Sequence, residues 1–545
     1  MCVMLQVTLL VLLLLLCAIV WWQRNAWLLV WRLNGWRGLV QQPYLWFILV
    51  FYLEPKKLLQ VVSHIRPYFR RPLGIVFGNK SVIYVDDPET MEQFFNAPEC
   101  IDKSFFQDGF CLKRGLLHAK GAAWKSRRRQ LDPAFGSKVL LSFIDTFNTV
   151  GNQLVHKFET ELLGDNIEFE TLDEMFSRAV LEVSCQTTMG TETNFTAADT
   201  QGIAKTYSEL MGISALRGTK PWLQVDFLFR WLDAKNYKRS QELIKHLEDF
   251  VRVIVEKKHA EWRASGECHI SNIGTDSVGA NADGTEDVRN IRNISAENTT
   301  RKRIFIEQIF HMVDNGELRM EDVMDEALSM LMVSFETIST SVLVIMLLLA
   351  IHKDHQRKLR EEIAATFTQT EQITYIDPVP LLQMKYLDSL VYESLRLLTT
   401  VPFNMRSVSR DFFIQVPSPS GSKWRAKIPK DTAIVFDAFN MQRDPKNWGP
   451  HAQEFYPEHF ATGSTCAAGR HPYAFVPFAK GLRYCIGNRY SMYLAKIFIV
   501  KLIHNFEFST STKLEDLHFV NGISLKFGNS EIINFNIKKI ERTGV

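Results

Sequence analysis

A ten-residue segment near the C-terminus surrounds one cysteine with residues that suit a metal-binding thiolate. The segment reads F-A-K-G-L-R-Y-C-I-G and contains Cys485. A thiolate that ligates a haem iron must be deprotonated, oriented and shielded, and the cofactor carboxylates need a cation nearby. Phe478 can cover the sulfur, Gly481 permits a tight turn, Arg483 can pair with a propionate, and Gly487 lets the next helix pack under the porphyrin. A buried free cysteine is the alternative, but five matching residues in one short segment favour the metal-binding thiolate.

Two other residue pairs lie in segments where a helix would position their side chains for a role in the site. Trp124 and Arg128 are one helical turn apart, so both can reach haem propionates from one face. An ordinary basic helix is the alternative for this pair. Glu336 and Thr337 lie within residues 325–351, an apolar segment that predicts a long buried helix. Burying an unpaired acid or alcohol is costly, so this pair needs a functional or structural partner.

A third group combines an E-x-x-R pair with a later histidine. Glu393 and Arg396 have a spacing of three within residues 387–398, so a helix would place them on one face. For an isolated pair, an exposed ion pair is the ordinary interpretation. His459 follows within the segment 455–460, between this helix and Cys485.

Composition excludes several classes of protein. The chain has 545 residues, of which 46% are hydrophobic and 23% charged, with a formal net charge of +3. Such a charge, with no basic run, does not favour nucleic-acid binding. The eight cysteines are scattered and form no C-x-x-C pair, so neither a zinc site nor a disulfide framework is predicted.

The N-terminus has the pattern of a membrane anchor. Residues 3–22 are almost entirely apolar and uncharged, and about 20 such residues span a bilayer. Arginines follow at 24, 32 and 37, so the positive-inside rule places the N-terminus outside and the rest in the cytosol. A cleaved signal peptide is the alternative, although no A-x-A site follows. We expect a transmembrane anchor at 1–23 and a linker with a membrane-associated stretch at 24–59.

Amphipathic helical patterns dominate the rest of the chain, residues 60–545, which we interpret as one catalytic domain. Strand-like segments occur at 74–85, 412–416 and 524–537. A helix-rich middle with strands near both ends predicts a mainly helical α+β fold with small sheets. Residues 266–300 are polar and are expected to form a mobile surface insert.

Together these motifs resemble those of the cytochromes P-450. The cysteine segment is similar to the family's haem-binding loop, F-x-x-G-x-R-x-C-x-G, and the E-x-x-R pair and segment 455–460 precede it in the family's order. Residues 115–135, which contain Trp124 and Arg128, resemble the helix-C region of insect family-4 microsomal members. The resemblance runs from about residue 60 to the end and implies the cytochrome P-450 fold with an N-terminal transmembrane helix.

The resemblance also implies roles for the residues singled out above. Cys485 would be the axial thiolate and iron ligand of haem b, and Arg406 would line the haem edge, with a surface arginine in a turn as the alternative. Glu336 and Thr337 would deliver protons to the oxygen site. Glu393, Arg396 and His459 would form a structural triad, in which His459 replaces the family's usual arginine and makes the triad weaker or pH-sensitive.

Two departures from the family's pattern lie in the long apolar helix. Ser334 replaces a glycine, and its hydroxyl could bond to the Met330 carbonyl and bend the helix, or crowd the oxygen pocket. Val333 stands where many family-4 members have a glutamate that becomes ester-linked to haem. Because valine cannot form an ester, the predicted haem is non-covalent.

The implied function is that of a haem-thiolate monooxygenase on the endoplasmic reticulum membrane, anchored by one span, with its catalytic domain in the cytosol. Implied partners are NADPH-cytochrome P-450 reductase, with cytochrome b5 as a second candidate, and a lipophilic substrate. The apolar residues that suit such a substrate, or plain core packing, are Phe105, Phe106, Phe110, Leu116, Phe227 and Phe403. Two alternatives stay open: a haem-binding protein with lost or reduced activity, and a haem-thiolate isomerase or dehydratase. The Glu336–Thr337 pair favours the monooxygenase.

Overall fold

The computed structural model describes a set of ranges that covers most of the chain. These are residues 57–68, 72–77, 80–104, 106–107, 115–191, 197–265, 303–367, 373–417, 423–464, 469–520 and 522–541, with seven residues before position 57. The expected anchor and linker lie mostly outside them, and the polar insert at 266–300 lies wholly outside. The predictions for those segments therefore stay predictions.

Helices make up most of the described residues. In chain order they are α1 Leu58–Ile65, α2 Pro88–Asn96, α3 Gly121–Leu131, α4 Ser137–Ser142, α5 Ile144–Glu161, α6 Phe169–Thr188, α7 Ala197–Thr219, α8 Asp226–Leu232, α9 Ala234–Ser265, α10 Phe305–Asp314, α11 Met320–Ile351, α12 Lys353–Thr366, α13 Pro378–Leu381, α14 Lys385–Leu397, α15 Ala438–Met441, α16 Pro445–Trp448 and α17 Asn488–Asn505.

Short strands form small sheets around these helices. The strands are β1 Leu73–Phe77, β2 Lys80–Val85, β3 Gly164–Glu168, β4 Phe403–Ser407, β5 Phe412–Pro417, β6 Lys423–Ile428, β7 Ala433–Asp437, β8 Phe506–Ser509, β9 Phe519–Val520, β10 Lys526–Phe527 and β11 Asn534–Lys539. The largest sheet has the order β1-β2-β7-β4, with β2 and β7 parallel and the other neighbours antiparallel. A three-stranded sheet has the order β3-β11-β8, and β5-β6 and β9-β10 are antiparallel pairs.

The core is built around helix α11. Helices α5, α6, α11 and α17 pack on one another, and residues 342–350 of α11 are all buried. A helix that is apolar on every side must be enclosed by other elements. By length and composition α11 could also cross a membrane, but 78% of its apolar window is buried inside the protein. It is therefore the central core helix that the apolar segment 325–351 predicted.

The mainly helical class with small sheets is confirmed, and one predicted strand segment is less regular than expected. The segment 74–85 forms the β1-β2 hairpin, as its turn signal predicted. The segment 524–537 is less regular than one strand, because a 3-10 turn at Ser530–Ile532 separates β10 from β11. Arg406 lies in strand β4 and is buried, so the alternative of a surface arginine in a turn is wrong.

Candidate active site

Cys485 ends a loop that leads directly into helix α17. Its backbone N–H donates to the carbonyl of Phe478 at 2.9 Å, which closes the loop. Burial raises the pKa of the Cys485 thiol, while a hydrogen bond from the Gly487 backbone N–H and the charge of Arg128 oppose that rise. The side chain is nevertheless accessible, so open space, which we call the recess, adjoins it. A bound cation would be needed to stabilise the thiolate fully.

The two glycines of this loop suit their positions for different physical reasons. Gly481 has a φ of +68°, and a Cβ there would lie 2.1 Å from the carbonyl oxygen of Phe95, so any side chain is excluded. A Cβ on Gly487 would meet only the Cys485 sulfur, at 4.0 Å. Gly487 therefore keeps the space beside the sulfur clear, while Gly481 allows the loop to approach helix α2.

Four basic side chains, Lys103, Arg128, Arg406 and Arg483, form what we call the cationic cradle near Cys485. Burial lowers the pKa of Arg406 to about 10, and burial with repulsion from Arg406 lowers that of Arg483 to about 9. Burial and repulsion from both arginines lower the pKa of Lys103 well below its usual value. Within the described ranges, only Arg128 of the four forms an ion pair with a carboxylate, Asp132 at 2.6 Å, while the charge of Asp102 also acts on Arg483. Such a cluster calls for an anion.

Helix α3 is fixed to the cysteine loop by two arginine–aromatic contacts. Arg128 donates to the carbonyl of Tyr484 at 2.8 Å, and its guanidinium carbon lies 4.7 Å from the Tyr484 ring centre. The guanidinium carbon of Arg483 lies 4.3 Å from the ring centre of Trp124. Buried Nη2 of Arg128 and buried Nε of Arg483 have no hydrogen-bond partner among the described residues. These donors point to a missing acceptor at the cradle.

The residues present fit a haem group. Its iron would be held by Cys485, and its two propionates would satisfy the buried donors of the cradle. No group of three His, Cys, Asp or Glu side chains suited to a metal occurs in the described part of the chain. A single thiol is the ligand set expected for a metal that arrives inside its own macrocycle.

The predicted structural triad forms a buried cluster rather than an exposed ion pair. Arg396 donates through Nε and Nη2 to the two carboxylate oxygens of Glu393, both at 2.7 Å, and neither side chain is accessible. The same guanidinium donates to the carbonyls of Gln442, Ala452 and Glu454. This bidentate pair has every donor satisfied, which is the condition for burying it without a large penalty.

His459 fills the place of the usual arginine with two hydrogen bonds. Its Nδ1 lies 3.2 Å from both carboxylate oxygens of Glu393, and its Nε2 lies 3.0 Å from the carbonyl oxygen of Trp448. Both partners accept, so the two bonds form together only when both ring nitrogens carry a proton. The histidine therefore gives up the guanidinium fork and keeps a contact to the Glu393 carboxylate.

On helix α11, the polar residues divide between two directions. Thr337 Oγ1 donates to the carbonyl of Val333 at 3.0 Å, while the Glu336 carboxylate accepts from Ser524 Oγ at 2.7 Å. Ser334 Oγ contacts the Leu331 carbonyl at 2.9 Å and Ser184 Oγ of α6 at 3.1 Å. The expected bond to Met330 is therefore wrong, and the hydroxyl is engaged in the four-helix core.

The structure also excludes one residue suggested for the substrate pocket and identifies two further residues near Cys485. Phe227 is 72% exposed on α8, so it cannot line an interior substrate pocket. Phe105 and Phe110 lie outside the described residues, while Phe106 and Leu116 are buried. Sequence reasoning missed Lys103 and Tyr484. Tyr484 could have been suspected because it is next to the cysteine, but only the fold brings Lys103 to it.

Substitution of the two loop glycines should have different effects. Gly481→Ala places a side chain at positive φ, which costs about 1–3 kcal/mol, and its overlap with Phe95 adds to that. We expect little soluble protein and a lower melting temperature. Gly487→Ala should keep the fold and lose haem content, because its methyl group occupies the recess beside the sulfur. Melting curves and haem quantification check this pair. A Gly481→Ala protein as stable as the parent, or a Gly487→Ala protein with full haem, would contradict it.

Comparison with known proteins agrees with this geometry. A family model described as Cytochrome P450 matches residues 39–530. "Probable cytochrome P450 318a1" of Drosophila melanogaster is 45% identical over 538 residues, which is 95% of each chain. "Probable cytochrome P450 313b1" of the same organism is 30% identical over 512 residues, 93% of this chain and 94% of the relative.

A family-4 protein is also among the relatives. "Cytochrome P450 4c3" of Drosophila melanogaster is 27% identical over 452 residues, 82% of this chain and 78% of the relative. The predicted resemblance is thus confirmed over nearly the whole length. The chain belongs to the cytochrome P450 family, the haem-thiolate monooxygenases.

Proposed function

We propose that this chain inserts one oxygen atom of O2 into a lipophilic substrate, using electrons that a membrane-bound reductase takes from NADPH. The observation that carries the proposal is the accessible Cys485 sulfur at the recess beside the cationic cradle. In the balanced reaction, a substrate C–H bond, O2, two electrons and two protons give C–OH and water. Bound haem supplies the oxidising iron, and the protein supplies position, protons and electron access.

The proposed roles follow from the contacts. Cys485 holds the iron, and the Gly487 N–H supports its negative charge. The cradle and Trp124 hold the propionate edge. Thr337, bonded to the Val333 carbonyl, and Glu336 are the candidates to move protons. Glu393, Arg396 and His459 keep the backbone of the cysteine loop in place.

An exposed apolar surface supports membrane association. Phe227 and Trp231 of α8 are 72% and 73% exposed, and Trp222, Val225 and Leu232 are also exposed nearby in sequence. Large exposed apolar side chains in one segment suit the interface of a bilayer. With the apolar N-terminus, this surface supports a location on the endoplasmic reticulum membrane and access for substrates dissolved in lipid.

The proposed electron donors are NADPH-cytochrome P-450 reductase and, as a second partner, cytochrome b5. Helix α3 offers basic residues for docking these partners, of which Lys125 is exposed. Arg127 is bonded to Glu326 at 2.7 Å and is therefore less available. The alternative of an inactive haem binder loses support, because Ser334 and His459 are both accommodated by hydrogen bonds.

Turnover by the reconstituted protein tests the proposed activity. Purified protein with the reductase should consume NADPH in step with formation of an oxygenated product from a fatty acid or hydrocarbon. Thr337→Ala should still consume NADPH but release more hydrogen peroxide, because a proton-moving hydroxyl is lost. Product and peroxide are measured together. Conversion of a hydroperoxide without NADPH, together with no NADPH-dependent oxygenation of the substrate, would favour the isomerase interpretation instead.

The mode of haem attachment gives a second test. Val333 offers no carboxylate for an ester, so we propose non-covalent haem b. Acidic organic extraction should remove all the haem, and intact-mass analysis should show the unmodified polypeptide. Haem that stays with the chain would contradict the proposal. A Val333→Glu variant provides a matched comparison, since it restores the group that an ester requires.

A further inference from the structure

We propose that the β9-β10 hairpin, through Ser524 and Lys526, is a positioning element for the Glu336 carboxylate. This inference deepens the proposed monooxygenase function and rests on it for its catalytic consequence. Nothing in the sequence pattern points to the hairpin, because Ser524 is 188 residues from Glu336. Glu336 is a buried acid, and its side-chain contacts come from elements other than its own helix.

Two side chains contact the acid, and a third lies near it. Ser524 Oγ donates to Glu336 Oε1 at 2.7 Å, and both side chains are buried. Lys526 Nζ lies 3.7 Å from the same oxygen. Tyr207 of α7 lies near this carboxylate, and burial together with the Glu336 charge raises the pKa of Tyr207 well above its usual value. All three groups can donate or carry positive charge, so the arrangement suits a carboxylate anion.

The hairpin itself is firmly placed. The Leu525 backbone N–H donates to the carbonyl of Thr400 at 2.7 Å. The rings of Phe519 and Phe439 lie 5.3 Å apart, and those of Phe527 and Phe169 lie 5.1 Å apart. Aromatic pairs at such distances are favourable contacts. Ser524 and Lys526 thus approach the acid from a fixed support rather than from a free loop.

The charges around the acid are of both signs. Lys526 is 36% exposed at its side chain, so it connects the buried carboxylate with solvent. Asp173 of α6 lies close enough to feel both Lys526 and Glu336, and burial raises its pKa. Glu170 and Glu174 add further negative charge on that side. Lys526 therefore supplies a positive charge that balances Glu336 against these acids.

The functional consequence follows from the directions in which the Glu336 and Thr337 side chains point. Thr337 points its hydroxyl at the Val333 carbonyl, and Glu336, one residue earlier, is held by the hairpin and α7. Neighbouring residues on a helix point about 100° apart, so the two side chains serve different sides of α11. The hairpin keeps the acid at the solvent-connected side, where it can be reprotonated between proton transfers to the oxygen site.

Lys526→Met tests the proposal in the haem-loaded, reductase-coupled protein. We expect the product formed per NADPH to fall about twofold to fivefold, with hydrogen peroxide in place of product and KM unchanged. Lys526→Arg should recover most of the loss, since it keeps the charge. Ser524→Ala should lower the same ratio. Lys427→Met removes an exposed lysine that pairs with Asp411 and is the matched control. An unchanged ratio in Lys526→Met would overturn the proposal.

A thermal double-variant cycle separates this inference from the proposed function. The melting-temperature shift caused by Lys526→Met should largely disappear in a Glu336→Gln background, because the partner charge is gone. If the two shifts simply add, the positioning contact does not exist in solution. If the variants show the coupled shifts but the wild-type protein forms no product, the monooxygenase proposal is disproved and the contact between Lys526 and Glu336 stands.

Discussion

The burial of positive charge beside a single thiol constrains the rest of this structure. Arg406 is 2% exposed in strand β4, and its pKa is lowered by burial. Buried cations without anions are unstable, so the surrounding elements must bring them to a common ligand. The β-sheet supplies Arg406, helix α3 supplies Arg128, and the cysteine loop supplies Arg483. A haem would place two carboxylates among these cations and its iron beside the Cys485 sulfur.

The cysteine loop is in turn tied to the buried Glu393–Arg396 pair through Gln442. Arg396 donates to the Gln442 carbonyl at 2.7 Å, and the Gln442 side chain donates back to the carbonyls of Leu395 and Arg396. Its Oε1 accepts from the Val476 N–H at 2.8 Å, just before the loop. Removing one partner from a buried ion pair typically costs about 3–5 kcal/mol. The triad can therefore fix the position of a sulfur that it does not touch.

Residues that lie close together in sequence allowed much of this site to be predicted. The cysteine loop and the Trp124–Arg128 pair each depend on local spacing, and the long apolar segment was enough to identify the core helix. Contacts between distant residues could not be predicted in this way. Ser524 meets Glu336 only because the β9-β10 hairpin packs beside α11, and the burial of Arg406 depends on its register with Ile434 of β7. No periodicity near either residue carries that information.

The most direct test of this account is the reduced carbon monoxide difference spectrum of the purified protein beside that of Cys485→Ala. The account predicts a thiolate-type Soret shift in the parent protein and its loss in the variant. A parent spectrum typical of histidine or neutral-thiol ligation would contradict it. So would a thiolate-type shift that survives in Cys485→Ala, because the ligand would then be a different cysteine.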